Sequence, residues 1–294
     1  MKLAGSVARG LVDLVPALAV MLGANVGTTL IVQVLSFNVA DIAPALILVG
    51  VLMFRRASAA PRDFGRVLIG LGLLLMADVL GTILSGLRDA FTNGDRRQIA
   101  ETKRLDDVLD KLNTAIKVYL TSIDPEALSD TDHRRVSEVL AFALNMEHAG
   151  DIVVRNLLSI ASRRLKRGVS FSHAGRAELL ALIDRLQKNL KLAASLFMSG
   201  DERAARLLAA EKEVFRKLET EATQAHFERL RAGRLDTVET STMHLDALRD
   251  LKSVNTHLVA AAAYPVLENT GELLPSRIRQ DEDGQSLMTR RTID

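Results

Sequence analysis

Cysteine and tryptophan are absent from this 294-residue chain, and aromatic residues make up only 4% of it. Without a thiol there is no disulfide, no thiolate metal site and no thiol nucleophile. The formal net charge is only +2, and a nucleic-acid surface needs a basic patch with stacking rings. Nucleic acid is therefore excluded from the expected partners. Enzyme signatures are missing too. His148, His226, His244 and His257 stand in no HExxH-like spacing, and there is no Walker-type glycine loop, dinucleotide fingerprint or Ser/His/Asp arrangement. Those histidines read as caps, core hydrogen-bonders or surface residues, and the chain does not read as an enzyme.

What is present is unevenly distributed. The mean hydropathy of +0.14 averages an apolar front with a back dense in Glu, Asp, Arg and Lys. The change falls near residue 90, which predicts a membrane region over 1–90 and a water-soluble region after it. Within the front, Leu22-Gly23-Ala24-Asn25-Val26-Gly27-Thr28-Thr29 sets glycines, an amide and two hydroxyls between two apolar half-segments, Leu11 to Met21 and Leu30 to Leu35. Each half is too short to cross a bilayer, which takes about 20 apolar residues. Asp13 and Pro16 interrupt the first half, which argues against a secretory signal. Together the halves read as a helix broken at the glycines, a device that frees backbone groups to hold ions.

Of the later apolar stretches, 64–87 has the length of a full span, with Asp78 inside it, whereas 39–54 is shorter. An intramembrane carboxylate is costly and marks an ion or proton contact by default. Arg55, Arg56, Arg62 and Arg66 put the intervening loop on the cytoplasmic side. A full crossing by 64–87 then sends the charged half outside, against its character; a re-entrant segment or a missing neighbour restores the count.

From about residue 91 apolar residues recur at helical spacing, as in Leu105, Val108, Leu109, Leu112, Ile116 and Leu120. Asp124-Pro125 ends that helix. Further helices are predicted over 131–167 with Gly168 as stop, 172–198, a fourth reaching 232, and 237–267. Short connections between long helices make an antiparallel bundle over 91–270. The tail 271–294 has no apolar period and reads as disordered. The fold class is all-α: a short membrane helical region followed by a helical bundle.

Phosphate is held by backbone N–H groups and hydroxyls at a helix N-terminus, a sodium ion by carbonyl oxygens freed by unwinding. Asn25, Thr28 and Thr29, with Gly23 and Gly27 permitting close backbone approach, supply both kinds. The same small residues also serve plain helix packing.

With those residues in view, the front resembles the type II sodium/phosphate cotransporter family, whose signature includes a Gly-Ala-Asn-Ile/Val-Gly-Thr-Thr segment after an apolar helix. The back resembles the PhoU domain that bacterial members carry at the C-terminus, through Ser199-Gly200-Asp201, His226-Phe227-Glu228-Arg229-Leu230 and the run His244 to Lys252. The resemblance implies a sodium-dependent phosphate symporter in the cell's inner membrane, multi-pass, with sodium as coupling ion, phosphate as substrate, and Asn25, Gly27, Thr28, Thr29 and Asp78 as contacts. It also implies a cytoplasmic bundle that regulates transport. Family members carry two inverted repeats, each with Gln-Ser-Ser. That motif is absent from the apolar half, since Gln33 and Ser36 do not match its spacing and Gln285-Ser286 lies in the tail. The chain therefore reads as a half-sized unit truncated at the N-terminus, completed by a second copy or by a separate transporter half, in contact with lipid. The rival reading is a membrane-anchored PhoU-like interaction module without transport.

Carboxylates four apart, Asp106 with Asp110, Glu147 with Asp151 and Asp246 with Asp250, share helix faces. They resemble the acidic motif of PhoU proteins, which implies a divalent or iron metal in the bundle; equally, they suit a solvated face. Glu211, Glu213, Glu219 and Glu221 lack the following Asp.

Overall fold

The computed structural model describes residues 59–123 and 128–271. The Gly23 to Thr29 stretch, the segments 11–35 and 39–54, the Asp124-Pro125 stop and the tail beyond Gly271 lie outside the described residues. Those described are helical, joined by turns, with no strand among them. In chain order the elements are α1 (Ala59–Thr92), α2 (Arg96–Arg104), α3 (Asp106–Thr121), α4 (Asp130–Asp151), a π-helical turn (Ile152–Leu157), α5 (Leu158–Arg167), α6 (His173–Ser199), α7 (Glu202–Arg231) and α8 (Leu235–Asn269). The short connections make successive long helices antiparallel.

Each boundary has a local cause. Ser129 opens α4 with a capping box, its hydroxyl accepting from the Asp132 N–H while the Asp132 carboxylate accepts from the Ser129 N–H. Ser172 caps α6 and Asp201 caps α7. Gly168 and Gly200 end α5 and α6 at φ 66° and 64°, a left-handed conformation that favours glycine. The stops expected at Gly168 and at Ser199-Gly200-Asp201 are therefore where the sequence places them. The helix expected from about residue 91 instead breaks at Leu105 into α2 and α3, and 131–167 is one rod with a π-helical turn inside it.

The predicted stripes form the core. Leu109, Leu112, Ile116 and Leu120 of α3 and Leu179, Leu182, Ile183, Leu186, Leu190 and Leu196 of α6 are buried. α8 occupies the centre, packing on α4, α6 and α7. Ala261, Ala262 and Ala263 are buried on it, small enough to let neighbours approach closely.

α1, although it lies before the change of composition, belongs to the bundle. Leu73, Met76, Leu80, Ile83, Leu84, Leu87 and Phe91 are buried in the same core as α3, α4, α6 and α8, and Phe91 meets Phe171 edge-on at 5.6 Å. The window Ile69–Thr92 is long and apolar enough to cross a membrane, yet half of it is covered by the bundle. The shift near residue 90 thus marks the last turn of α1 and lies inside the packed unit. An apolar helix clad by other helices has the composition of a spanning one.

Candidate functional site

Asp78 lies on the exposed face of α1, in line with Leu74, Thr82 and Ser85. This face borders a groove with α6 that Gln187, Leu190 and Lys191 complete. Ser85 Oγ accepts from Gln187 Nε2 at 2.9 Å, and Arg88 Nε donates to Asp184 Oδ1 at 2.7 Å, pinning the two helices together. The structure therefore turns Asp78 outward, away from the packed interior.

The six carboxylates offered for metal do not assemble into a ligand set. Burial, then the charge of Asp151 across the α3–α4 contact and that of Asp110 one turn on along α3, push the Asp106 carboxyl up to about 6. Asp151 is taken by Arg155 at 2.9 Å, and Arg249 reaches Asp246 at 3.2 Å and Asp250 at 3.3 Å. Glu147 lies 3.6 Å from His148. Among the described residues no three His, Asp or Glu side chains are placed to hold a metal ion. Arg155 and Arg249 thus balance the charge of Asp151, Asp246 and Asp250.

Two polar clusters whose members the sequence did not bring together are better built. In the first, Glu211 of α7 accepts two hydrogen bonds from Arg185 of α6, at 2.6 and 2.7 Å, and a third from Asn189 Nδ2 at 2.9 Å. Asn189 Nδ2 also donates to Asn255 Oδ1 of α8, so one network ties three helices. Burial alone would push the Glu211 carboxyl up; the hydrogen bonds from Arg185 and Asn189 outweigh it and hold it below its ordinary value. With Glu178, Asp184, Lys188 and Glu221, the residues Arg185, Asn189 and Glu211 line a groove between α6 and α7 whose floor is completed by apolar side chains such as Leu182 and Leu218.

The second cluster sits where α6 begins and α7 ends. Glu178 accepts a fork from Arg229 at 2.7 and 2.8 Å. His244 Nε2 lies 3.2 Å from Glu178 Oε2 and 3.2 Å from the Gly175 carbonyl. Both partners only accept, so Nε2 carries the proton. His226 stacks on His244 and shares a hydrogen bond with Ser241 Oγ at 2.8 Å. Burial, then His244 and Arg229, push the His226 imidazole down to about 4, so it is neutral at pH 7. Both histidines are core hydrogen-bonders, one of the roles expected for them. The available signal was a charged or amide residue beside an apolar stripe, as with Asn189 between Leu186 and Leu190.

Residues 1–81 match the Na+/Pi-cotransporter family model, and residues 73–158 match that of the PhoU domain. The chain joins a Na+/Pi-cotransporter segment to a PhoU domain. YjbB of Escherichia coli strain K12, named as a candidate inorganic phosphate export protein, is 39% identical over 199 residues, covering 68% of this chain and 36% of the relative. YjbB of Salmonella typhimurium strain LT2 is 38% identical over 196 residues, with 67% and 36% covered. The chain thus spans about a third of the length of these relatives. The crystal structure of PhoU from Pseudomonas aeruginosa superposes with a TM-score of 0.62 at 16% identity, covering 69% of this chain and 95% of that one, a likeness of fold. The PhoU match begins at residue 73, inside α1, so both matched segments share this helix.

Proposed function

We propose that this chain is part of a phosphate-transport unit in the membrane. Residues 1–58 contribute half of a phosphate and sodium path, and the PhoU bundle regulates it from the cytoplasmic side. The observation that carries this reading is the overlap of the two family matches at residues 73–81, within one uninterrupted helix. A helix of 34 residues is about 50 Å long, so a shift of α1 in the bundle is felt at Ala59, where the transporter segment leaves. Packing of α1 into the bundle also supports a simpler topology: Arg55, Arg56, Arg62 and Arg66 then share the cytoplasmic side with the bundle, and no crossing by 64–87 is needed.

Asn25, Thr28 and Thr29 are the proposed phosphate contacts, with Gly23 and Gly27 leaving backbone groups within reach. The test is phosphate flux in proteoliposomes, inward and outward, with and without a sodium gradient, for the full chain alone and with a chain carrying the Gln-Ser-Ser repeats. Flux that falls at least tenfold in Asn25→Ala supports the reading, and the gradient arms set direction and coupling. No flux in any combination overturns it and leaves a membrane-attached PhoU-type interaction module.

A further inference from the structure

The C-terminal end of α1 is held by a buried charge. Arg164 of α5 is 5% exposed. Its Nη1 donates to the Phe91 carbonyl at 3.1 Å and its Nη2 to the Ala90 carbonyl at 2.8 Å. These are last-turn carbonyls of α1, which lack helical partners and carry the negative end of the helix dipole. The guanidinium also lies over the Phe171 ring, 5.4 Å from its centroid. Phe171 in turn meets His244 edge-on at 6.0 Å, and His244 is stacked on His226 at 4.8 Å and hydrogen-bonded to Glu178. One run of buried contacts therefore leads from α1 through α5 to α8, α7 and α6.

That run is built at a cost. Arg164 Nε, His244 Nδ1 and Arg229 Nε are buried without a hydrogen-bond partner, and desolvation lowers the Arg164 pKa. A core that needed only cohesion would be filled at lower cost with apolar side chains. Buried polar contacts instead specify one register, because a displaced partner leaves a charge unpaired.

We propose that Arg164, Phe171 and His244 form a clasp through which the ion-pair node at Glu178 sets the position of the α1 C-terminus. Arg164 is a positioning residue: it holds α1 only while Phe171 and His244 are held by Glu178. The inference concerns the bundle alone and stands whether or not the chain moves phosphate.

The native absence of cysteine makes the test clean. Spin labels at Asn93→Cys, just beyond α1, and Lys188→Cys on α6 report the distance between them in the full chain in lipid nanodiscs. Arg164→Met and Glu178→Gln are each expected to at least double the width of the distance distribution, with Arg164→Lys intermediate and the surface change Arg216→Ala without effect. A wild-type width in Glu178→Gln overturns the coupling, and a wild-type width in Arg164→Met overturns the clasp. Should Arg164→Met fail to fold by circular dichroism, Glu178→Gln and Phe171→Leu decide on the same criterion.

Discussion

His226 and His244 lie face to face in the bundle interior, their ring centroids 4.8 Å apart and their planes 10° from parallel. Two imidazoles in that arrangement tolerate one added charge poorly. His226 is 1% exposed, and Arg229 already brings a cation to the same node. The stack is thus a place where folding and protonation compete.

The competition gives a pH dependence with a definite sign. His226 has an ordinary pKa of 6.5 and about 4 in the folded chain. Between those values the unfolded chain binds a proton that the folded one refuses, so stability rises with pH across the window and is lost as pH falls through it. Facing His226 are His244 from α8, Glu178 from α6 and Arg229 on its own helix. Glu178 is held below its ordinary value and adds to the loss only at more acid pH. Wild-type protein is expected to be about 2 kcal/mol less stable at pH 5 than at pH 7.5 by urea denaturation. A His226→Asn variant flattens that slope; an unchanged slope refutes the assignment.

Substitutions on α1 distinguish a core helix from a lipid-facing one. Leu84 is fully buried against the bundle and Leu74 is exposed. Leu84→Ala is expected to cost about 2–5 kcal/mol, as truncation of a packed leucine does. Leu74→Ala is expected to cost less than about 1 kcal/mol. Equal tolerance at both positions, read from denaturation in detergent, places α1 outside the core.

How far the fold was legible follows from the same helix. The stripes of α3 and α6 and the stops at Gly168 and Gly200 were readable because period and turn chemistry are local properties. The role of α1 was not, because residues 64–87 have the composition of a spanning helix whatever surrounds them. Only the partners, such as Leu190 of α6 lying 3.7 Å from a Cβ built on Gly81, distinguish the cases. The node at Glu178 was hidden for a related reason. Its partners stand 51 and 66 positions away in the chain, at Arg229 and His244, and no spacing rule reaches that far. The acidic pairs were conspicuous in sequence because their spacing is local, and folding matched several of those carboxylates with arginines.

Glu211 supplies a third test. Its side chain is only 16% exposed and accepts from both Arg185 and Asn189. Removing a half-buried acceptor strands its donors, so Glu211→Gln is expected to cost about 1–3 kcal/mol. A double-mutant cycle with Arg185→Met is expected to return a coupling of about 1–2 kcal/mol. Additivity within about 0.3 kcal/mol would make the pair an ornament of the surface.

Asp106 makes the opposite prediction, a gain. Burial and the charges of Asp151 and Asp110 raise its carboxyl from 3.8 to about 6. A carboxyl raised on folding binds a proton that the unfolded chain releases, so its contribution falls as pH rises from 3.8 to 6 and is a net penalty at pH 7. Asp106→Asn removes the charge and keeps the shape. Because the site is partly open to solvent, the expected gain is discounted to about 1 kcal/mol at pH 7.5, shrinking toward zero at pH 4. A hard cation held by these carboxylates would reverse that sign, since the substitution would then delete a ligand. Thermal unfolding of wild type and Asp106→Asn, with and without millimolar magnesium or EDTA, separates the two: repulsion relieved by a proton predicts a raised midpoint that ignores both additions.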